Sequence, residues 1–518
     1  MMDIFPDLLS IHSSQPDRYP FLLESTLQNA TDHDAGQSRY DILFAFPERK
    51  LVQESSGHLS MDGRRIPNGD FLDELDLWFT REQDNTVIRG ECPYGDDYGK
   101  DSHGGLKKGR GLPLRSLQSS DRTLPDIPFR GGWFLYLGYE LAGQVEPVLH
   151  PHLTRNTERH AASIEAQFPI AVAWRVPAAI IRDKHRQETI LIAEASHAAC
   201  MVDLKRDVMS VQAGVKSAPI PDTNAPLDNR QQPIGFTGEN NRKALPCAAL
   251  REDPADEFLA RVDRIKRYIH EGDVFQVNLS RGWQGCLREG ITSSRLYDRL
   301  RQHNPAAFAG LAVWDNLAII SSSPERLVRI RDGVVETRPI AGTHPRNQDR
   351  ATDHGLSNAL MSHPKERAEH IMLIDLERND LGRVCQPGSV RVDELMVLES
   401  YAHVHHIVSN IRGALLPDTT PGQVLRAVFP GGTITGCPKV RCMEIIAELE
   451  QVPRGPYTGA MGYLNLDGSA DLNILIRSIC RHGDRVGLRA GAGIVADSLP
   501  ERELDETRHK ARGPLSAL

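Results

Sequence analysis

Two polar stretches divide this 518-residue chain into pieces that no single run of secondary structure can bridge. Residues 81–128 are rich in Gly and Asp and almost without apolar periodicity, so they read as a surface insertion, mobile rather than packed. Residues 215–254 are polar and Pro-rich, as a linker or long loop would be. Between and beyond them lie an N-terminal region, 1–214, and a denser region, 255–518. The second region opens with DEFLARVDRIKRYIHEGDVFQVNLS. Phe258, Val262, Ile265 and Ile269 recur at helical spacing, Gly272 closes the helix, and VFQVNLS alternates as a strand does. The spacing also predicts a strand in AIISSSPERLVRI and a helix in PKVRCMEIIAELE. A last helix should be opened by a capping box, Ser498-x-x-Glu501, and stopped at Gly513-Pro514.

Within the second region, two Glu-x-x-Glu pairs carry the strongest chemical signal. Glu366 and Glu369 stand in HPKERAEHIMLIDLERNDLG, and Glu503 and Glu506 in ADSLPERELDETRHKARG. Residues three apart share a helix face, so each pair aims two carboxylates in one direction. Either pair alone is more simply a solvated helix face. Brought together in one groove, four acids repel unless a divalent cation lies between them. Oxygen ligands without a His/Cys cluster point to Mg²⁺.

Composition narrows the field. An apolar fraction of 40% with 25% charged residues is that of a soluble globular protein, and a net charge of −8 with no basic run excludes a nucleic-acid partner. The eight cysteines lack C-x-x-C spacing and read as reduced thiols. The N-terminus has no cationic leader, and no apolar stretch is long enough to span a bilayer, so a cytoplasmic location is expected.

Four stretches in order, SSSPERL…ETRPIAGTHPR, EHIMLIDLERNDLGRV, FPGGTITGCPKVRCMEIIAELE and RAGAGIVADS…ELDETRHKAR, resemble the chorismate-utilising enzymes: the large subunits of anthranilate synthase and aminodeoxychorismate synthase, and the isochorismate and salicylate synthases. The resemblance covers about 255–515 strongly and YPFLLES and GGWFLYLGYE more loosely. It implies an α+β fold, a large β-sheet sandwich with outer helices and a cleft near one end. It also implies that Glu369 and Glu506 bind Mg²⁺ directly, with Glu366 and Glu503 holding the metal's waters, and that the metal grips the ring carboxylate of chorismate. Arg477, Tyr457 and the amides of Gly491, Ala492 and Gly493 match the clamp for the second carboxylate. Glu325 matches the acid/base glutamate, His406 the histidine beside the departing hydroxyl, and Thr433 a hydrogen-bond donor. Lys510, four residues after Glu506, should touch the metal shell or substrate. His405 is expected to be structural, and Cys437 and Cys442 to be packing residues.

The resemblance also separates the reactions. Branches that activate water place a lysine where this chain has Gln276, which cannot deprotonate water; ammonia is then the nucleophile. In one form of aminodeoxychorismate synthase a lysine precedes the Gly-Thr of PI-x-GT; here Ala341 precedes Gly342 and Thr343, as in anthranilate synthases. Against that, the segment expected to face LLES (Leu22–Ser25) reads Asn304-Pro305-Ala306-Ala307-Phe308, nearer the aminodeoxychorismate style. The favoured reading is amination to 4-amino-4-deoxychorismate, with anthranilate formation second and an inactive ligand-binding regulator a distant third. No glutaminase motif is present, so ammonia is expected from a separate glutamine amidotransferase subunit.

Overall fold

The strand beginning at Gln276 shows how alternation builds this molecule. Val277 and Leu279 turn into an apolar cluster, while Gln276, Asn278 and Ser280 face the other way. The computed structural model describes residues 7–27, 39–88, 114–118, 127–215, 246–346, 349–362, 364–400 and 404–518. They form two 12-stranded sheets. One runs from Cys247–Glu252 through Gln276–Leu287, Arg485–Ile494, Ser478–His482, Leu317–Ser323 and Phe308–Trp314 into the N-terminal strands Phe21–Glu24, Tyr40–Ala45, Ala178–Asp183 and Glu188–Ala193. The other runs from Ile340–Pro345 through Val404–Ala414, Val334–Thr337, Arg326–Arg331, Ala470–Ile474 and Ala460–Asn465 into Gly132–Leu137, Ala171–Val176 and Arg49–Gln53. The described pairings are antiparallel except that of Glu188–Ala193 with Leu114–Gln118.

N-terminal strands thus complete both sheets: Phe21 lies opposite Ala312, and Trp133 opposite Leu464. The sheets pack face to face. Phe21 of one stacks on Phe134 of the other at 4.1 Å, and Phe44, Trp174 and Ile319 extend that layer. Helices cover the outer faces. Phe71–Ile88, Pro364–Gly382 and Pro421–Val428 lie on the second sheet; Leu8–Ser14, Cys200–Val215, Ser293–His303 and Pro500–Ala517 lie on the first. The α+β sandwich with outer helices is what the motifs implied.

Three local readings meet corrections. The stretch AIISSSPERLVRI is two strands, Leu317–Ser323 in one sheet and Arg326–Arg331 in the other, with Pro324-Glu325 as the crossing. The capping box does not form: Leu499 is the N-cap of the last helix, and Ser498 Oγ instead accepts from Val495 N–H in the preceding turn. Nor does Gly513-Pro514 stop that helix, which runs over Pro500–Ala517. Its final turn is held by Arg299, which donates to the carbonyls of Ser516 and Ala517, and by Cys247 N–H, which bonds Leu518 O. These tertiary contacts offset the cost of about 3 kcal/mol that proline brings to a helix interior. A side chain at Gly513 would press on Asn304, so this glycine serves close packing rather than termination. Of the polar stretch at 81–128, Phe71–Ile88 reaches into its start and Leu114–Gln118 is a strand; the middle lies outside the described residues, as do residues 216–245.

Candidate functional site

The groove forms where the two sheets exchange strands. Two of the chain's passages between the sheets, at Ser323–Arg326 and at Ile474–Ser478, deliver Glu325 and Arg477 side by side. Ile474 N–H bonds Glu325 O, and Ser322 N–H bonds Arg477 O, tying one crossing to the other. Arg477 holds φ +51°, a left-handed backbone that costs a non-glycine residue about 1 kcal/mol and is imposed here by the two anchored strands.

Glu325 is buried, and burial pushes its pKa up to about 7, against the pull of Thr433, the Ile340 amide, Lys510 and Arg477. Glu325 Oε1 and Thr433 Oγ1 interact through space, yet neither atom has a well-aligned hydrogen bond. Burial also opposes the charge of Arg477, which Glu325 supports. His406, on the strand Val404–Ala414, is buried; desolvation and then Arg477 drive its pKa down to about 3, so its ring is neutral at physiological pH. It also bonds the backbone of Gly342. Register puts Thr343 opposite His406 and Ala341 opposite Ile407. His405 is held by Ser400 Oγ at 2.7 Å and Asp353 at 3.0 Å.

The opposite wall is the strand Arg485–Ile494. A Cβ at Gly491 would lie 2.5 Å from Asn278 Oδ1 and 2.8 Å from Tyr457 Oη; one at Gly493 would collide with Gln276 Nε2 and come within 3.5 Å of Glu369 Oε1. Both positions must stay bare so that polar groups can close on the strand. Ala492, between them, turns into the apolar cluster with Val277 and Leu279, so it faces the groove through its backbone only. Burial raises the Tyr457 phenol's pKa, with Arg454 and Lys510 opposing.

The acid pairs lie on the helices Pro364–Gly382 and Pro500–Ala517. Glu369 Oε1 accepts from Gln276 Nε2 at 2.6 Å. Glu506 Oε1 pairs with Lys510 Nζ at 2.7 Å, and Lys510 also donates to Gly491 O at 3.1 Å. Burial opposes the lysine charge, but Glu506 outweighs it and the pKa is raised. The Lys510 side chain nevertheless stays 42% exposed, as it would in a water-filled groove. Glu369 therefore reaches Gly493, and Glu506 is tied through Lys510 to Gly491, two residues and about 7 Å away on the same strand. Glu366 lies within 3.0 Å of the Cβ position of Gly342, and Glu503 is buried one turn before Glu506. Among the described residues no group of three or more acids, histidines or cysteines is drawn together tightly enough to form a ready metal cage. Glu369 and Glu506 could serve only an ion that keeps waters and shares its shell with substrate, not one enclosed by protein.

Sequence reasoning missed Asn278, although period-two alternation from Gln276 pointed to it. It also missed the buried base of the site. Arg454 pairs with Glu450 at 2.6 Å, donates to Asn278 O and Ile434 O, and stacks beneath Tyr457. Cys442 Sγ, buried, donates to Gln276 O. A sizeable cavity lies elsewhere. At about 630 Å³ it sits beside LLES, lined by Glu24, Ser25, Phe308, Arg326, Asp471 and Asn473. LLES and the Asn304–Phe308 segment do meet there, with Thr26 N–H bonding Ala306 O. No described helix is long and apolar enough to cross a membrane.

Comparison with known proteins agrees with this architecture. A family model described as chorismate binding enzyme matches residues 86–516. A Synechocystis protein named anthranilate synthase component I-like is 38% identical over 400 residues, 77% of this chain and 75% of its own length. The aminodeoxychorismate synthase component 1 of Bacillus subtilis is 48% identical over 256 residues, 49% of this chain and 54% of that protein, so the match spans about half of each. The crystal structure of anthranilate synthase component I from Streptococcus pneumoniae superposes with a TM-score of 0.66 at 27% identity, covering 92% of both chains.

Proposed function

We infer the activity of this chain from one premise: it belongs to the chorismate binding enzyme family. We propose that the groove takes chorismate and aminates it to 4-amino-4-deoxychorismate, using ammonia supplied by a separate glutamine amidotransferase subunit. The observation that carries this reading is Glu325, a buried carboxyl with a pKa of about 7, set among Arg477, Lys510 and Thr433. Departure of the C4 hydroxyl needs a proton, and a buried acid near neutrality can give one; such catalysis contributes about 10²–10⁴-fold. Arg477 and Tyr457, with the bare strand at Gly491–Gly493, would receive the enolpyruvyl carboxylate. Glu369 and Glu506 would hold Mg²⁺, with Glu366 and Glu503 behind them, and the ion would neutralise the ring carboxylate. Neutral His406 would stand beside the departing oxygen. Gln276 is not a base, which supports ammonia over water as the nucleophile.

A second reading is anthranilate synthase component I, in which amination is followed by loss of pyruvate. Ala341 in place of a lysine favours it, as do the names of the Synechocystis and Streptococcus relatives. Identity does not separate the two, since 48% to the Bacillus protein stands beside 45–46% to proteins named anthranilate synthase component 1; the Asn304–Phe308 segment is what supports the first. Purified protein incubated with chorismate, Mg²⁺ and ammonium at alkaline pH separates them. A fluorescent product only after a lyase is added, as p-aminobenzoate, supports the first reading. Anthranilate fluorescence without lyase, inhibited by tryptophan, overturns it.

A further inference from the structure

Two amide side chains on the strand Gln276–Leu287 stand in the groove with oxygens that nothing in the protein satisfies. Gln276 and Asn278 project from the same face, two residues and about 7 Å apart along the strand. The bare positions Gly493 and Gly491 let them lean across the neighbouring strand Arg485–Ile494. Among the described residues, Gln276 Oε1 and Asn278 Oδ1 are buried atoms that accept no hydrogen bond. The orientation of Gln276 is set by its partner. Nε2 donates to Glu369 Oε1 at 2.6 Å, and the reverse would bring an oxygen against a carboxylate, so the carbonyl end is turned away from Glu369. The root of Asn278 is fixed through its backbone, whose N–H bonds Thr435 O and whose carbonyl accepts from Arg454. Asn278 Oδ1 and Tyr457 Oη border the same space over Gly491, at 2.5 and 2.8 Å from where a Cβ would stand.

What the two oxygens lack is a donor. Chorismate is a dianion whose polar atoms are nearly all acceptors: two carboxylates, an ether oxygen and a single hydroxyl. In the proposed amination that hydroxyl departs against the other wall, where Glu325 and Thr433 stand. The remaining reactant, ammonia, brings three N–H donors and one lone pair, and to react it must be held by the donors with the lone pair free. A carboxylate at these positions would favour ammonium, which has no lone pair to give. An amide oxygen accepts the N–H while stabilising no extra proton.

We propose that Asn278 binds the nucleophile: its Oδ1 accepts an N–H of ammonia, with Gln276 Oε1 as a second acceptor on the side of Glu369. This role rests on the proposed amination and is the same for either aminated product. The nitrogen lone pair forms a C–N bond with the ring, the C4–O bond breaks, and the hydroxyl leaves as water with the proton of Glu325. The new nitrogen then loses one proton, which restores Glu325 through solvent. Chorismate and ammonia thus give the amine and water, ahead of any loss of pyruvate, and Asn278 is unchanged.

The test varies ammonium at fixed pH with chorismate saturating, and then chorismate with ammonium saturating, for the parent protein and for Asn278→Leu, which keeps the shape and removes the acceptor. The KM for ammonium should rise about five- to tenfold, the worth of one lost hydrogen bond, while the KM for chorismate stays within twofold. Asn278→Ser, which frees space instead of placing a methyl against Tyr457, should show the same split, so the result does not hang on whether the leucine variant folds; a thermal midpoint checks each. An ammonium KM within twofold of the parent's in a folded variant, or an equal rise in both KM values, overturns this role and leaves amination standing. If the parent protein puts no nitrogen from isotopically labelled ammonium into its product, read by mass spectrometry, the functional reading falls and the role of Asn278 falls with it.

Discussion

In the cavity beside Glu24 the charges answer one another, and in the groove they do not. Around the cavity, Glu24 accepts from Tyr297 at 2.9 Å and lies 3.4 Å from Arg301, and Arg326 grips Asp471 with two bonds of 2.9 and 3.0 Å. Ser25 Oγ and Arg329 Nε are exceptions. In the groove, Gln276 Oε1 and Asn278 Oδ1 are buried without a partner, and Glu325 Oε1 and Thr433 Oγ1 have only each other, without a well-aligned bond. A buried polar atom left unpaired costs about 1–3 kcal/mol, so such atoms gathered in one place mark a surface completed by something from outside. Open volume is found at the cavity; unsatisfied chemistry points to the groove. The two criteria separate here because a binding space can be fully prepaired, whereas a reacting site must hold groups ready for partners that come and go.

The sharpest way to break this contrast is to remove the groove's acid. Glu325→Gln is isosteric and should lower kcat by about 10²–10⁴-fold. In the unaltered enzyme, where the protonated form is the active one, kcat measured at saturating ammonia should fall as pH rises through about 7, and the variant should lose that limb. A residual rate near that of the parent protein would place the chemistry elsewhere. Next in size is Glu369→Ala or Glu506→Ala. Each should reduce activity by at least about 10–100-fold and raise the Mg²⁺ concentration for half-maximal rate. Isothermal titration of the unaltered protein with MgCl₂ in the presence of chorismate, against each variant, reads the metal apart from turnover. Unchanged titrations in both variants would remove these carboxylates from the metal.

How far the sequence could be read follows the range of the forces involved. Glu366 with Glu369 and Glu503 with Glu506 were legible because helix periodicity is local, and so was the Glu506–Lys510 pair at i, i+4. That Gln276 would meet Glu369 was not; their bond joins strand to helix across 93 residues. Glu325 could be picked out by its motif but not given its character, because its pKa comes from burial at a crossing between sheets that AIISSSPERLVRI, read as one strand, does not reveal. Arg454 and Glu450, in ELEQVPRG, carry no local sign in the sequence that both are buried. The last helix failed in the opposite direction. Local stop signals at Gly513-Pro514 were present, and distant contacts from Arg299 and Cys247 overrode them.

Smaller effects sharpen the comparison. Gly491→Ala places a methyl 2.5 Å from Asn278 Oδ1 and 2.8 Å from Tyr457 Oη, so it should raise the KM for chorismate about tenfold, an effect of about 1.4 kcal/mol, with a smaller change in kcat. An equal fall in kcat with unchanged KM would mean that this strand contacts the reacting atoms instead of the bound carboxylate. The smallest kinetic effect belongs to Tyr297→Phe beside the cavity. Its hydroxyl donates to Glu24 in a buried cluster, and losing that bond should cost about 1–2 kcal/mol of stability, read as a lower denaturation midpoint. Chorismate turnover should stay within twofold, because the cluster's paired charges serve packing and the groove's unpaired atoms are untouched. If kcat fell with stability, the two regions would be coupled through the strands Phe21–Glu24 and Phe308–Trp314, and the division between a satisfied cavity and an unsatisfied groove would no longer separate architecture from chemistry.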